Sequence, residues 1–123
     1  MSGAFGSPQS RGDANHAAIG RLFEATNAYA VDAALSLFST SANIDDPAVG
    51  RIFKGNAGVR KYLTTFFVGY ETCTTLMSAA TDASGAVHVR TDFTGTFGHE
   101  IGILRFTFDD AGLILQLHAN LEG

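Results

Sequence analysis

The stretch that decides the fold is Asn-Ile-Asp-Asp-Pro-Ala-Val-Gly-Arg-Ile-Phe-Lys-Gly-Asn-Ala-Gly-Val-Arg, residues 43–60. A short apolar segment ends in two carboxylates, Asp45 and Asp46, and is followed by Pro47, which cannot donate to a strand ladder. Gly55 then opens a segment whose apolar residues recur at helical spacing. The stretch therefore predicts a strand that ends in an acid, a chain reversal, and a helix that packs nearby.

The composition indicates one globular domain that contains more apolar residues than solubility requires. The chain has 123 residues, of which 46% are hydrophobic and 16% charged, and its formal net charge is -4. The apolar surplus predicts a large core, a lined cavity or a dimer face. The eight Lys and Arg residues form no basic run, which argues against nucleic acid or a membrane surface as a partner.

The cysteine count and the N-terminus bear on the compartment. Cys73 is the single cysteine, so an internal disulfide is excluded, and a lone thiol is compatible with a reducing compartment. Residues 1–12 are rich in Gly, Ser, Pro and Gln, lack the apolar core of a signal peptide, and predict a disordered tail. We expect a cytoplasmic protein with one domain over residues 13–123.

The order of the predicted elements indicates an α+β fold. Helices are predicted from Asp13 or Asn15 to about Asn27, over 32–38, and from Gly55 onward; Ser39 to Ser41 are expected to close the second helix. Strands are predicted over 42–46, 51–54, 71–80, 86–96, 100–108 and 113–121. Three helices followed by four long antiparallel strands are typical of α+β proteins, in which helices cover one sheet face.

The motif around Asp46 resembles the nuclear-transport-factor-2-like superfamily. The resemblance rests on 39–47, on Gly55 with 59–62, and on a last hairpin at 108–114, and the order of elements agrees over 13–121. It implies a cone-shaped, curved antiparallel sheet wrapped around three N-terminal helices, with an internal pocket and frequent dimerisation through the outer sheet face. The superfamily includes the ketosteroid isomerases and the SnoaL-like polyketide cyclases.

The ketosteroid isomerases use a general-base Asp and two oxyanion donors, a Tyr and a protonated Asp. The resemblance places the base at Asp46, but it places the two donors at Leu22 and Leu104. Losing an oxyanion donor costs about 3 kcal/mol of transition-state stabilisation in well-studied enzymes, so classical steroid isomerisation is not expected.

Two other branches of the superfamily can be compared in the same way. The acid that SnoaL-like cyclases carry on the last strand is absent, since Leu117, Ala119 and Leu121 occupy the inward positions. Arg90-Thr91-Asp92 matches part of the Arg-x-Asp motif of limonene epoxide hydrolases. However, strand alternation predicts that Arg90 and Asp92 face outward, so an epoxide hydrolase-like activity is a minor alternative.

Asp46 and Glu100 are the candidate catalytic residues. A carboxylate in an apolar pocket is suited to proton abstraction, although Asp46 before Pro47 also fits a simple turn whose N–H groups it accepts. Glu100 shares its strand face with Leu104 and is either a second acid at the pocket mouth or a solvated strand end. The predicted pocket lining consists of Leu22, Phe23, Phe38, Tyr62, Phe66, Val89, Phe93, Leu104, Phe106, Leu117 and Ala119.

Two functions follow from these residues. The first is an enzyme of the SnoaL-like or ketosteroid isomerase-like type, in which Asp46 moves a proton on an apolar cyclic carbonyl compound. The second is a non-catalytic module that binds a small apolar ligand or dimerises. No metal and no cofactor are expected, and a homodimer is predicted through the outer sheet face, formed by Ile101, Ile103, Arg105, Gln116 and His118.

Overall fold

The computed structural model describes residues 8–121, with side chains from Gly12 onward. The helices are α1 (Pro8–Asn27), α2 (Val31–Leu35) and α3 (Gly55–Tyr62), and α3 continues into a π-helical segment, Leu63–Val68. The strands are β1 (Phe38–Asp46), β2 (Arg51–Lys54), β3 (Cys73–Thr81), β4 (Val87–Gly95), β5 (Gly98–Phe108) and β6 (Ile114–Leu121). The predicted α+β class is confirmed.

The six strands form one curved, unclosed sheet in the order β2-β1-β6-β5-β4-β3. All neighbouring strands are antiparallel except β1 and β6, which run parallel, with Ile44 opposite Leu117 and Asp45 opposite His118. This one parallel pair brings the end of the Asp45-Asp46 strand beside the last strand of the chain. The acid at the end of β1 is therefore placed next to residues that are more than 70 positions away in sequence.

The helices cover the concave face of the sheet and enclose the core. Ile19, Leu22 and Phe23 lie on one face of α1 and are only 1%, 3% and 6% exposed. They pack with Val87, Val89, Leu104 and Phe106 of the central strands in one hydrophobic cluster. Burial of this apolar surface is the main stabilising contribution to the fold.

The two largest differences from the sequence-based prediction lie at the start of α1 and at the start of β1. Helix α1 begins at Pro8, so residues 8–12 of the predicted tail are helical, while residues 1–7 lie outside the described residues. Residues 39–41, predicted to end a helix, belong to β1, which begins at Phe38. The cause is a tertiary partner, because Phe38 pairs with Ile114 and the N–H of Ile114 donates to the carbonyl of Leu37.

The convex face of the sheet carries paired charges and isolated apolar side chains. His118 lies 3.2 Å from Asp45, His99 lies 2.7 Å from Asp92, and His88 lies 2.7 Å from Asp82. Ile52 and Ile103 are 49% and 36% exposed on the same face. Within residues 8–121, no helix is long and apolar enough to cross a membrane.

The π-helical segment shapes the region between α3 and β3. The N–H of Gly69 donates to the carbonyl of Thr64, and the hydroxyl of Thr72 donates to the carbonyl of Phe66 at 2.6 Å. A Cβ at Gly69 would lie 2.5 Å from the Thr65 carbonyl oxygen, so only glycine fits there without a local shift. The widened turn places Phe66 and Phe67 toward the concave side of the sheet, where they pack against the core. Such π-helical turns occur frequently at functional sites.

Candidate active site

A cavity of about 220 Å³ lies between the concave face of the sheet and the segment 62–72. Its wall is mainly apolar and aromatic, as is usual for small-molecule sites. The lining residues are Asp46, Ala48, Val49, Tyr62, Phe66, Phe67, Tyr70, Thr72, Phe93, Phe97, Glu100, Leu104, Leu117, Ala119, Asn120 and Leu121.

Asp46 is buried in this wall and has two hydrogen-bond donors. Its Oδ2 accepts from the hydroxyl of Tyr62 at 2.5 Å, and its Oδ1 accepts from the N–H of Ala48 at 3.1 Å. The side chain therefore accepts an N–H of the turn after β1 and at the same time lines the cavity. Each carboxylate oxygen retains a lone pair for a further partner.

Tyr62 lies on the buried face of α3, within the aromatic cluster formed with Phe53 and Phe66. Burial, and then the hydrogen bond and the negative charge of Asp46, raise the pKa of Tyr62 far above its usual value of 10.0. The phenol therefore stays protonated and acts as a fixed donor to the Asp46 carboxylate. Of the two groups, Asp46 is the one that can accept a proton.

The raised pKa of Tyr62 predicts a loss of stability at high pH. Above pH 10 an unfolded tyrosine releases its proton while the folded Tyr62 keeps it, so the free energy of unfolding falls as pH rises. The slope from this group is small at pH 9.5 and approaches roughly 1.4 kcal/mol per pH unit near pH 11, where the unfolded tyrosine is almost fully ionised. Urea unfolding of the wild type and of Tyr62→Phe at pH 9.5 and 11 measures it; equal pH slopes in the two proteins would contradict the assignment.

A continuous series of aromatic contacts runs along the cavity wall. Ring centroids are separated by 4.9 Å between Tyr62 and Phe66, 5.6 Å between Phe66 and Tyr70, and 6.2 Å between Tyr70 and Phe97. Exposure rises along this series, from 7% at Tyr62 to 44% at Tyr70 and 39% at Phe97. Asp46 and Tyr62 thus lie in the buried part of the cavity wall, whereas Tyr70 and Phe97 lie at its exposed rim, as do Val49 and Leu121.

Glu100 lines the same cavity from the start of β5 and is half-buried. It lies directly opposite Phe93 in the β4–β5 ladder. Along β5 it precedes Leu104 by four residues, a separation of roughly 13 Å. Its strand position and the neighbouring exposed Phe97 place it near the rim, away from the buried end that holds Asp46.

The structure divides the predicted pocket residues into two groups. Six of them line the cavity: Tyr62, Phe66, Phe93, Leu104, Leu117 and Ala119. The other five are buried in the hydrophobic core and are not among the lining residues: Leu22, Phe23, Phe38, Val89 and Phe106. Strand and helix periodicity identified the inward face correctly, but that face is filled by α1 at one end and hollow at the other.

Several other candidate residues lie on the convex face. Arg90 and Asp92 alternate with the fully buried Thr91, as expected, and are not among the cavity-lining residues. Asp45 also faces away from the cavity and pairs with His118, whereas the partner of Asp46 is Tyr62 and not a histidine. Within residues 8–121, no three potential metal ligands lie together.

The contact between Tyr62 and Asp46 was not predicted from the sequence. Tyr62 was predicted as pocket lining, but its role as the donor to Asp46 was not. A usable signal existed, because a tyrosine on the apolar stripe of a helix must find an acceptor for its hydroxyl when it is buried. The rim residues Tyr70 and Phe97 were also not predicted, since they lie in turns without a periodic pattern.

Solved structures with the same fold include an epoxide hydrolase/cyclase-like enzyme and a designed binder. Bal32a, from a soil-derived mobile gene cassette, has a TM-score of 0.81 at 14% identity over 90% of this chain and 91% of its own. SalBIII, an epoxide hydrolase/cyclase-like enzyme of pyran ring formation in the polyether salinomycin, has a TM-score of 0.73 at 20% identity, covering 88% and 90%. A computationally designed 17-OHP binder has a TM-score of 0.74 at 18% identity, covering 86% and 88%.

Sequence comparison identifies the family. No curated protein is significantly similar to the chain in sequence. A family model described as the SnoaL-like domain matches residues 19–116, which include Asp46, Tyr62, Glu100 and all the cavity-lining residues except those on β6. The chain therefore belongs to the SnoaL-like domain family.

Proposed function

We propose that this protein is a proton-transfer enzyme that acts on a ring-bearing carbonyl compound, with Asp46 as the general base. The observation that supports the proposal is the Asp46–Tyr62 hydrogen bond at the buried end of an aromatic cavity. A base held by a neutral donor and facing an apolar pocket has the arrangement required for abstraction of a proton from carbon.

In the proposed reaction, Asp46 removes a proton from the carbon next to the substrate carbonyl and later returns it. Tyr62 holds Oδ2 and the Ala48 N–H holds Oδ1, so the carboxylate is oriented before the substrate arrives. The aromatic wall positions the ring of the substrate, and the exposed rim admits water, with which the protonated carboxyl exchanges its proton before the return.

The residues around the cavity also restrict the substrate. Leu22 is in the core and Leu104 lines the cavity, so neither position supplies the donor that would stabilise an enolate oxygen. A substrate is then favoured whose carbanion is stabilised by its own conjugation, such as a ketone whose reacting carbon is also benzylic or allylic. We expect simple saturated cyclic ketones to react poorly.

A suitable probe is 2-tetralone, which has two fused rings and a C1 position that is both benzylic and next to the carbonyl. In D2O, the protein is expected to accelerate exchange of the C1 protons above the buffer rate, with saturation as the ketone concentration rises. Proton NMR measures the exchange. Exchange at the buffer rate, with 2-tetralone bound, would contradict proton transfer.

A second function is a non-catalytic ligand-binding module. It is favoured by the absence of donors at Leu22 and Leu104, and a designed binder with the same fold shows that the architecture can serve binding alone. The tetralone experiment separates the two functions, because a binder would be stabilised by the ketone without accelerating exchange.

We also propose a homodimer through the convex sheet face. Ile103 is exposed there beside Ile101, Arg105, Gln116 and His118, and the neighbouring charges of Asp45 and His118 are already paired. Light scattering at micromolar concentration is expected to give twice the monomer mass for the wild type. Ile103→Glu should give the monomer mass, because it places a charge in an apolar part of the interface, where burial would desolvate it; a monomeric wild type would overturn the proposal.

A cytoplasmic location is proposed as well, supported by Cys73, an exposed free thiol. Fractionation of cells that express the protein tests the location, and recovery in an oxidising compartment would contradict it.

A further inference from the structure

The charges in the cavity are of one sign. Among the lining residues, the charged side chains are those of Asp46 and Glu100, and none is Lys, Arg or His. An anionic ligand would therefore enter an apolar space that holds two acids and no counter-charge. Burial of a charge without a partner is strongly unfavourable, so the cavity selects against carboxylate and phosphate ligands.

The two acids differ in how well they are paired. Asp46 accepts hydrogen bonds from Tyr62 and from Ala48. Glu100 is half-buried, and within residues 8–121 its carboxylate makes no hydrogen bond or ion pair. The Glu100 carboxylate is thus the one that can form an ion pair with a cationic group of a ligand.

Aromatic rings flank Glu100 at the rim. Phe93 lies directly opposite it in the antiparallel ladder, which places the two Cβ atoms about 4.5–5.5 Å apart. Phe97 and Tyr70 complete this side of the rim, with their rings 6.2 Å apart. An ammonium group beside Glu100 would lie within reach of these ring faces, and cation–π attraction would add to the ion pair.

We infer that the cavity takes a ring-bearing amine in its protonated form, with the ammonium group at Glu100 and the ring directed inward to Tyr62. As in the proposed function, the ligand binds in the cavity; here its charge is specified as positive. Binding of the amine does not depend on proton transfer by Asp46.

Three probes with one ring system test the charge preference: 2-naphthylmethylamine, 2-naphthylmethanol and 2-naphthoate. Titration calorimetry at pH 7 is expected to show that the amine binds about tenfold more tightly than the alcohol, and that the carboxylate does not bind measurably. Equal affinities of the amine and the alcohol would overturn the inference, and so would a failure of all three probes to bind.

Two variants locate the ammonium group. Glu100→Gln should reduce the affinity for the amine to that for the alcohol and leave the alcohol unchanged. Glu71→Gln, at an exposed acid that does not line the cavity, is the matched control and should keep the tenfold preference. An amine preference that survives in Glu100→Gln, or disappears in Asp46→Asn instead, would place the cation elsewhere and contradict the inference.

The two proposals can fail separately. An amine preference without exchange of 2-tetralone would leave the inference intact and remove the catalytic function. Catalysed exchange without an amine preference would do the reverse.

Discussion

Asp46→Asn is expected to slow the exchange of the C1 protons of 2-tetralone by roughly 10²–10⁴-fold relative to the wild type. The amide has the shape of the carboxylate and fits the same buried position, but it cannot take up a proton. One of the two donors, the Tyr62 hydroxyl or the Ala48 N–H, loses its acceptor in the variant, so a modest loss of stability of about 1–2 kcal/mol is also expected. NMR exchange rates and urea unfolding measure the two effects.

Asp45→Asn is the matched control for this experiment. Asp45 is the preceding residue, carries the same side chain, and pairs with His118 on the convex face. Exchange is therefore expected at the wild-type rate. If Asp46→Asn retained that rate, or if Asp45→Asn lost it, the assignment of Asp46 as the base would be wrong.

Gly102→Ala is expected to lower the free energy of unfolding by about 1–3 kcal/mol and to block the cavity. Gly102 is buried opposite Thr91, and a Cβ there would overlap the ring of Phe93 and lie 2.8 Å from the Thr91 hydroxyl oxygen. The Phe93 ring can relieve the overlap by turning into the adjacent cavity, which it already lines. Binding of 2-tetralone should fall with stability, and calorimetry with urea unfolding measures both.

Gly20→Ala on α1 is the matched control for the Gly102 substitution. A Cβ at Gly20 meets no atom within 4 Å. Alanine is preferred over glycine in a helix by about 1 kcal/mol, so this variant should be slightly more stable than the wild type and should bind the ketone normally. Wild-type stability and affinity in Gly102→Ala would show that Phe93 does not pack against the β5 backbone as described.

The class of the fold was predictable because its signals are local. Val87, Val89 and Phe93 alternate with polar residues on β4, and Ile19, Leu22 and Phe23 share one face of α1. Such periodicities identify elements and their inward faces without knowledge of the partner. The start of β1 was not predictable in this way, because Phe38 fits a helical pattern and becomes a strand residue only through its pairing with Ile114 on β6.

The candidate site was predictable only in part because its contacts are tertiary. Asp46 was identified from a local motif, whereas its hydrogen bond to Tyr62 joins residues that are 16 positions apart on different elements. Val89 and Phe93 have the same parity on β4, yet Val89 packs in the core and Phe93 lines the cavity. The division depends on which part of the sheet α1 covers. The alternation of residues along β4 carries no information about the position of α1.

The most direct test is a crystal structure of the wild-type protein with 2-tetralone bound. If Asp46 and Tyr62 form the reactive end of the cavity, the ketone should occupy the aromatic cavity with C1 within about 3–3.5 Å of an Asp46 carboxylate oxygen, the separation of a near-attack geometry. A ketone bound on the convex face, or bound in the cavity with C1 at the rim beside Glu100 and remote from Asp46, would contradict the proposed site.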